Sequence, residues 1–600
     1  MLRNIFLITL LGLLSYGFWI SPNFKEISAG VAIFLFGMFS LEEGFKSFSG
    51  GTLERVLQKS TDKTYKSIGF GILSTTIMQS SSLVSVLTIS FLGAGLIGLA
   101  QGIGIIFGAN IGTTTGAWLV AGLGLKVDIA SYAMPMLVFG VIFIFQKQKY
   151  IKGLGYILAG LGFLFLGIAY MKSGFEAFKD TIDLASFAVV GIKGLFIFTG
   201  IGVFATVVMQ SSHATLVLII TALSAGQISY ENALALAIGA NIGTTITAIL
   251  GAMGSNVVGK QLALAHLIFN GVTGVIAISS ISYLIIAVDY LSLYLNIASD
   301  DYSLKLALFH TIFNLIGVVV MIPFISRLVI FLENVLKDKS ISNRGFDKAK
   351  YLNTSVLALP STAILSILQE TRHLYDNVFE IIAHGINTKR ENITSNKSIE
   401  ESIKDIYSKD AVDIDDLYNQ KIKGIYGEIV EFATKAQSTT VSNEDIDRLY
   451  NLKIASRDMV EAVKGTKHLQ KNLIKYSNSS NKNIQKEYNL IRQGIAELLR
   501  SIYIISKTKE EDVILLLLSK SKVNMEKYDI LASGTLDRLI RADSISDEMA
   551  TSLMNDSSYA YDISKKLIAV AEIIFTDVND LNMGMSKEDI ESILDKKKDK

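Results

Sequence analysis

The chain writes one pair of polar, helix-interrupting motifs twice inside strongly apolar sequence. Gln79-Ser80-Ser81-Ser82 is followed by Gly108-Ala109-Asn110-Ile111-Gly112-Thr113-Thr114, and Gln210-Ser211-Ser212-His213 is followed by Gly239-Ala240-Asn241-Ile242-Gly243-Thr244-Thr245. Gln79 and Asn110 are 31 residues apart, and so are Gln210 and Asn241. Any fold for this chain must therefore hold two similar halves whose apolar helices are interrupted at corresponding points. A second block extends the duplication. Gly30–Phe48 aligns with Gly160–Phe178, matching Gly37 with Gly167, Gly44 with Gly174, Phe45 with Phe175 and Phe48 with Phe178. One unit begins near residue 29 and recurs near residue 159.

At 50% hydrophobic residues and a mean hydropathy of +0.42 the chain is too apolar for an ordinary soluble enzyme. The average hides two regimes. Up to about Leu336 long apolar runs carry few charges; beyond Lys337 the sequence is charged and amphipathic. The division reads as an N-terminal membrane helix and loop (1–27), a first repeat (28–152), a second repeat (153–336), a linker (337–352), a helical domain (353–590) and a basic tail (591–600). A net charge of +1 with no basic, aromatic-interleaved patch gives no reason to expect nucleic acid. The absence of cysteine excludes disulfides, thiol catalysis and Cys-ligated metal. No nucleophile–base set, metal constellation or nucleotide loop is present, which disfavours an enzyme and calls for no cofactor.

Runs of about 20 apolar residues are membrane-span candidates, and these fall near 4–20, 28–48, 99–124, 128–146, 153–172, 231–252, 260–288 and 304–332. The first ends in Phe18-Trp19-Ile20-Ser21-Pro22 without a small-x-small cleavage site, so it reads as a retained helix rather than a signal peptide. Stretches 67–98 and 193–224 are apolar but broken by the glutamine-serine motifs and read as hairpins or discontinuous helices. Loop charge orients the halves. Residues 49–67 carry Arg55, Lys59, Lys63 and Lys66 against Glu54 and Asp62, whereas 173–193 carries Lys179 and Lys193 against Glu176, Asp180 and Asp183. The positive-inside rule then places the first segment in the cytoplasm and the second outside. Lys147, Lys149, Lys152, Lys337 and Lys339 fit the inside, and Asp289, Asp300 and Asp301 the outside. The expected fold is all-α: a polytopic membrane protein of inverted repeats with re-entrant or broken helices, plus a cytoplasmic helical bundle. Both termini would be cytoplasmic.

Irregular backbone survives in hydrocarbon only where protein or a watery cavity satisfies it. Gly-Ala-Asn-Ile-Gly-Thr-Thr supplies two glycines for non-helical turns, and its amide and hydroxyls can bond freed backbone or a ligand. Gln-Ser-Ser offers an amide and two hydroxyls at the tip of an apolar hairpin. Such oxygens suit hard cations without a fixed charge, and free N–H groups at helix starts suit an anion. Ser and Thr can instead bond their own helix, and small residues can simply allow close packing. Four occurrences with equal spacing favour a site, and interruptions at corresponding points of two halves mark the substrate site of secondary transporters.

Paired Gln-Ser-Ser motifs, each followed by Gly-Ala-Asn-Ile-Gly-Thr-Thr, resemble the bacterial branch of the sodium-dependent phosphate cotransporter family, related to the animal type II carriers. The resemblance covers about residues 28–335. It implies that phosphate is held between the repeats by Gln79, Ser80, Ser81, Ser82, Gln210, Ser211 and Ser212. Asn110, Thr113, Thr114, Asn241, Thr244 and Thr245 would bind sodium or line the site. His213 stands where the second motif would end in serine, and Leu83-Val84 stand where the second copy keeps Ala214-Thr215. His213 either donates to phosphate and makes transport pH-sensitive or bonds a backbone carbonyl beside the site.

Two further patterns lie outside the four duplicated motifs. His266-Leu267-Ile268-Phe269-Asn270 and His310-Thr311-Ile312-Phe313-Asn314 place His and Asn on one helix face, where a buried helix–helix hydrogen bond is favoured over a functional histidine. Glu42 and Glu43 near a span end read as solvated or salt-bridged. From Ser355 onward helical amphipathicity recurs, with stretches near 400–435, 444–475, 480–505, 509–540 and 546–577. The position of this region and its segment Ala455–Val463 resemble the PhoU-like domain of some bacterial members. PhoU proteins can hold metal clusters, but Asp410, Asp413 and Asp416, or Glu370, His373 and Asp376, read better as solvated charge.

These readings point to sodium:phosphate symport by alternating access, with sodium as coupling ion and the lipid membrane as surroundings; a homodimer is left open. Phosphate export or carriage of another small oxyanion is one alternative, and a phosphate sensor signalling through the tail is another.

Overall fold

The structure, a computed structural model, describes residues 2–48, 61, 63–124, 130–179, 189, 191–337, 347–358, 360–404, 413–439, 443–508, 510–528, 530 and 533–576. Among them every regular element is helical. The chain divides into two compact units, 1–337 with 353–355, and 338–352 with 356–600.

Apolar surroundings demand that each backbone group be satisfied within its own segment, and the first unit answers with helices. In chain order these are α1 (Leu2–Ile20), α2 (Pro22–Phe48), α3 (Thr64–Met78), α4 (Ser81–Gly93), α5 (Leu99–Leu119), α6 (Ala130–Ile144), α7 (Lys149–Lys179) and α8 (Gly191–Met209). They continue as α9 (Ser212–Ser224), α10 (Tyr230–Gly243), α11 (Thr245–Ala252), α12 (Val257–Ser279), α13 (Ile281–Tyr294), α14 (Tyr302–Met321) and α15 (Ile325–Val335). Seven helical stretches among the described residues are long and apolar enough to cross a membrane. α4 and α9 are not: 13 residues each reach about 20 Å, short of a hydrocarbon core of about 30 Å. They turn back inside the unit and are re-entrant.

The two copies run in opposite directions. α2 and α7 open the repeats and pack along their whole length through a glycine at every seventh position. A Cβ on Gly30 would lie 2.7 Å from the Met171 amide nitrogen, one on Gly37 2.6 Å from that of Leu164, and one on Gly44 2.9 Å from that of Ile157. Gly160, Gly167 and Gly174 answer with Leu41, Phe34 and Ile27. As numbers rise on one helix they fall on the other, so equivalent helices are antiparallel and the repeat is inverted. Within each copy the pattern is parallel and identical. Gly71 meets Ile105 and Gly108 meets Ile68 between α3 and α5, while Gly202 meets Leu236 and Gly239 meets Thr199 between α8 and α10. Each copy is thus a long helix followed by a three-limbed fold in which the short helix is the middle limb.

Several expected boundaries move. The run 260–288 is two helices, α12 and α13, divided at Ser280, whose φ of −110° and ψ of 18° leave the helix; its hydroxyl donates to Ile276 O at 2.6 Å. No glycine or proline marks that break. The span 304–332 is interrupted by a 3₁₀ turn, Ile322–Phe324, at Pro323. Gly-Ala-Asn-Ile-Gly-Thr-Thr, expected to break its helices, does not do so in the first copy: α5 runs uninterrupted through Gly108–Thr114. In the second copy only Thr244 falls between α10 and α11, with nearly helical φ and ψ of −58° and −26°. The glycines serve close packing instead, since a Cβ on Gly108 would lie 2.0 Å from Ile68 O. The loop charges at Glu54, Arg55, Lys59, Asp62, Asp180, Asp183 and Lys339 lie outside the described residues, as do Asp410 and the tail 591–600.

In the second unit six helices of 17 or more residues, α16 (Pro360–Gly385), α17 (Lys423–Thr439), α18 (Asn443–Ser477), α19 (Lys482–Lys507), α20 (Glu511–Lys527) and α21 (Asp547–Phe575), bury one aliphatic core that includes Leu374, Val378, Leu449, Leu499 and Leu567. The expected stretches 400–435 and 509–540 each divide, with Ile414–Lys421 preceding α17 and Thr535–Arg541 following α20. Glu370 is fully buried rather than solvated. It accepts from the Lys350 and Tyr351 amides at 2.7 Å each and sits 2.7 Å from His373 Nδ1. Asp376 pairs with Arg390 at 2.7 Å, and Asp413 caps the helix 414–421. These acids hold local structure.

Asp556, 2% exposed, accepts from the Tyr488 hydroxyl at 2.6 Å. Burial holds its carboxyl above the usual carboxylate range, against the opposing pull of its hydrogen bonds. The folded state therefore prefers the protonated acid, and stability falls as pH rises from the unfolded value, near 4, through the raised folded one. Asp556→Asn keeps an acceptor for Tyr488 without the charge. The variant should match the parent near pH 4 and unfold at progressively higher temperature than the parent as pH rises to 8. A difference independent of pH would contradict the assignment.

Candidate functional site

The Gln-Ser-Ser motifs are built alike. Gln79 ends α3 and Gln210 ends α8, both in the left-handed region at φ of 51° and 53°. A non-glycine residue there is uncommon, and it reverses the chain within one residue. Ser80 and Ser211 then cap α4 and α9, their hydroxyls accepting from the Leu83 and Ala214 amides at 3.2 and 3.1 Å. Ser81 and Ser212 open the helices, both buried, and neither hydroxyl has a partner among the described residues. Each tip thus combines first-turn N–H groups, left free by helix geometry, with an uncommitted hydroxyl.

The fold brings the two tips together. His213 Nδ1 lies 3.1 Å from Gln79 O, Ser82 Oγ lies 3.2 Å from Thr247 Oγ1 on α11, and Ser211 Oγ donates to Met38 Sδ on α2 at 3.6 Å. Phe34 meets the His213 ring edge-on at 5.7 Å. Gln79 Nε2 donates to Thr76 O at 2.6 Å and to Thr115 Oγ1 at 3.3 Å. Its counterpart Gln210 is exposed and stands apart from these contacts.

The residues expected to line a cation site bond mostly to their own helices. Asn110 donates to Ile106 O (2.9 Å), Thr113 to Ala109 O (2.9 Å), Thr114 to Ile111 O (2.8 Å), Thr244 to Ala240 O (3.1 Å) and Thr245 to Ile242 O (2.8 Å). Each donation uses a hydrogen and leaves oxygen lone pairs. Asn241 differs: its amide reaches Asn314 Oδ1 at 3.1 Å and Asn270 Oδ1 at 3.5 Å, while Asn270 Nδ2 donates to Asn241 O at 2.9 Å. The two His-x-x-Phe-Asn segments therefore tie helices together through their asparagines. Their histidines do not: both His266 ring nitrogens and His310 Nδ1 are buried with no partner.

Leu83-Val84, the departure from the second copy's Ala214-Thr215, has a visible consequence. Thr206 donates to Thr215 Oγ1 at 3.0 Å. Thr75 and Val84 occupy the same two places in the first copy, and the buried Thr75 hydroxyl has no partner. An orphaned hydroxyl costs about 1–3 kcal/mol. Val84→Thr should restore the pair and raise the unfolding temperature of the purified chain, and Thr206→Val should lower it. The opposite order would refute this account.

Gly116, Thr115 and Thr247 touch the tips although no motif in the sequence singles them out. A signal was there: Gly116 and Thr247 are related by the same 131-residue offset that relates Ser82 to His213.

A profile described as Na+/Pi-cotransporter matches residues 33–173 and 191–322, which together hold both hairpins and all four motifs. The membrane unit belongs to the Na+/Pi-cotransporter family. Among relatives of this Na+/Pi-cotransporter unit, YqeW of Bacillus subtilis, whose name assigns no function, is 28% identical over 255 residues, covering 41% of this chain and 78% of YqeW. YjbB of Escherichia coli, provisionally named an inorganic phosphate export protein, is 28% identical over 277 residues, or 45% of this chain and 49% of YjbB. The namesake from Salmonella typhimurium is 27% identical over the same length. The chain thus spans about half the length of YjbB. No solved structure matches the chain. Family and helices together make the first unit a membrane domain of that family.

Proposed function

We propose that the chain carries inorganic phosphate across the bacterial inner membrane in symport with sodium, by alternating access around the two hairpin tips. The observation that carries this reading is the meeting of two capped helix starts, each with an uncommitted serine hydroxyl, in one buried place. Helix N-termini and hydroxyls bind an oxyanion through hydrogen bonds without a fixed positive charge. Oxygen donors suited to sodium stand beside them: the lone pairs of Thr113, Thr114, Thr244 and Thr245, the amides of Asn110 and Asn241, and the orphaned Thr75 and Ser85 hydroxyls. Phosphate carries between one and two negative charges near neutrality. Moving two charges against an interior 100 mV negative costs roughly 4.6 kcal/mol, which two or more sodium ions would offset. Both termini lie in the cytoplasm in this reading, and the second unit acts as a PhoU-like regulatory domain.

The experiment is uptake of labelled phosphate into proteoliposomes. An inward sodium gradient should drive accumulation above equilibrium, and potassium should not replace it. Accumulation indifferent to sodium would overturn the coupling. The name given to YjbB favours a second reading, outward transport through the same site. The same inward gradient separates the two, because an exporter would release preloaded phosphate under it where a symporter accumulates more.

A further inference from the structure

The one position at which the two four-residue motifs differ is matched by a second difference opposite it. His213 stands where the first copy has Ser82, and Gly116 stands where the second copy has Thr247. These four residues are two equivalent contacts. Ser82 meets Thr247 hydroxyl to hydroxyl at 3.2 Å. In the mirror contact a Cβ on Gly116 would lie 2.3 Å from His213 Cε1, 2.5 Å from Nε2 and 2.8 Å from Gln79 Oε1. Small faces medium on one side; large faces nothing on the other. The imidazole fits only because position 116 has no side chain.

The ring has a use beyond filling space. A carbonyl oxygen only accepts, so His213 Nδ1 carries the hydrogen and donates to Gln79 O across the repeat boundary at 3.1 Å. The peptide is planar and trans, so fixing the Gln79 carbonyl also fixes the Ser80 N–H, which points the opposite way. That peptide joins the left-handed Gln79 to the cap residue Ser80, immediately before Ser81. Ser82 does nothing equivalent for Gln210, because its hydroxyl is turned to Thr247. We infer that His213 is a positioning residue that pins the first hairpin's tip for anion binding, and that Gly116 is the receptacle that admits it. The inference rests on the reading of the tips as a phosphate site.

The test uses the full chain, purified in detergent, with inorganic phosphate as probe. Two quantities are read: the unfolding temperature without phosphate, and the phosphate concentration that half-saturates its upward shift. Gly116→Thr alone should collide with the ring and lower the unfolding temperature, and His213→Ser with Gly116→Thr should recover it by recreating the Ser82–Thr247 arrangement. Apparent affinity should separate from stability. His213→Ser should weaken phosphate binding about tenfold, as expected for one hydrogen bond to a buried acceptor, and the double variant should stay equally weak despite its recovered fold. His213→Asn, whose amide can donate from the Nδ1 position, should regain most of the lost affinity. A double variant no more stable than Gly116→Thr would overturn the receptacle. Unaltered affinity in His213→Ser would overturn the positioning role. A parent chain with no phosphate-induced shift would instead sink the phosphate site itself, and that result is recognisable before any variant is made.

Discussion

Alanine at both Ser81 and Ser212 is expected to abolish measurable phosphate transport while leaving the chain folded. The two hydroxyls are buried at the starts of α4 and α9 and have no partner among the described residues, so removing them breaks no bond that holds the fold. If they bind the anion, each substitution loses a hydrogen bond to a charged group, worth about 1.5–3 kcal/mol. That is roughly 10- to 150-fold in affinity for one serine, and the double variant compounds it. Initial uptake rates across a range of phosphate concentrations, normalised to monodisperse protein recovered by gel filtration, give the comparison. Ser80→Ala and Ser211→Ala should behave differently, because those hydroxyls cap helices and their loss lowers stability as well. Parental uptake by the Ser81/Ser212 double variant would remove the site from the hairpin tips.

The second large effect is structural. Gly108→Ala and Gly239→Ala should each prevent recovery of folded protein, although alanine is the best helix former. The added methyl would lie 2.0 Å from Ile68 O in one case and 2.0 Å from Thr199 O in the other. Both obstacles are backbone atoms of a parallel helix, which cannot swing aside as a side chain can, so the cost falls at or beyond the upper end of the roughly 1–3 kcal/mol usual for overpacking. Gly69→Ala and Gly200→Ala are the controls: they sit at equivalent places on the partner helices α3 and α8, with nothing within 4 Å of the new atom. Normal yield from Gly108→Ala would show that α3 and α5 are less closely packed than described.

Those glycines also explain where the sequence misleads. A glycine pair flanking Asn110 reads as a helix break because glycine permits unusual backbone, yet glycine equally permits two helices to touch, and its neighbours in sequence do not distinguish the uses. Gln79 and Gln210 were legible for the opposite reason: a polar residue followed by serines suitable as helix caps marks a stop and a start by local rules. The inversion could be read from loop charge. It is independently present in the antiparallel packing of α2 on α7, which uses none of those charges. The division at Ser280 was hidden, since an apolar run says how much chain is buried and little about where it bends. The pairing of His213 with Gly116 was hidden more deeply. Each position alone looks like drift between copies, and only the cross-repeat contact shows that one change makes room for the other.

The glycine stripes of α2 and α7 carry a consequence for ancestry and assembly. Each stripe recognises its own image turned upside down, so the interface is isologous in the manner of a two-fold dimer. A half-length polypeptide able to enter the bilayer in either direction could close that surface with a second copy of itself, needing no distinct partner. Fusion into one chain removes the need to be ambidextrous, and frees the halves to diverge at individual contacts without losing each other.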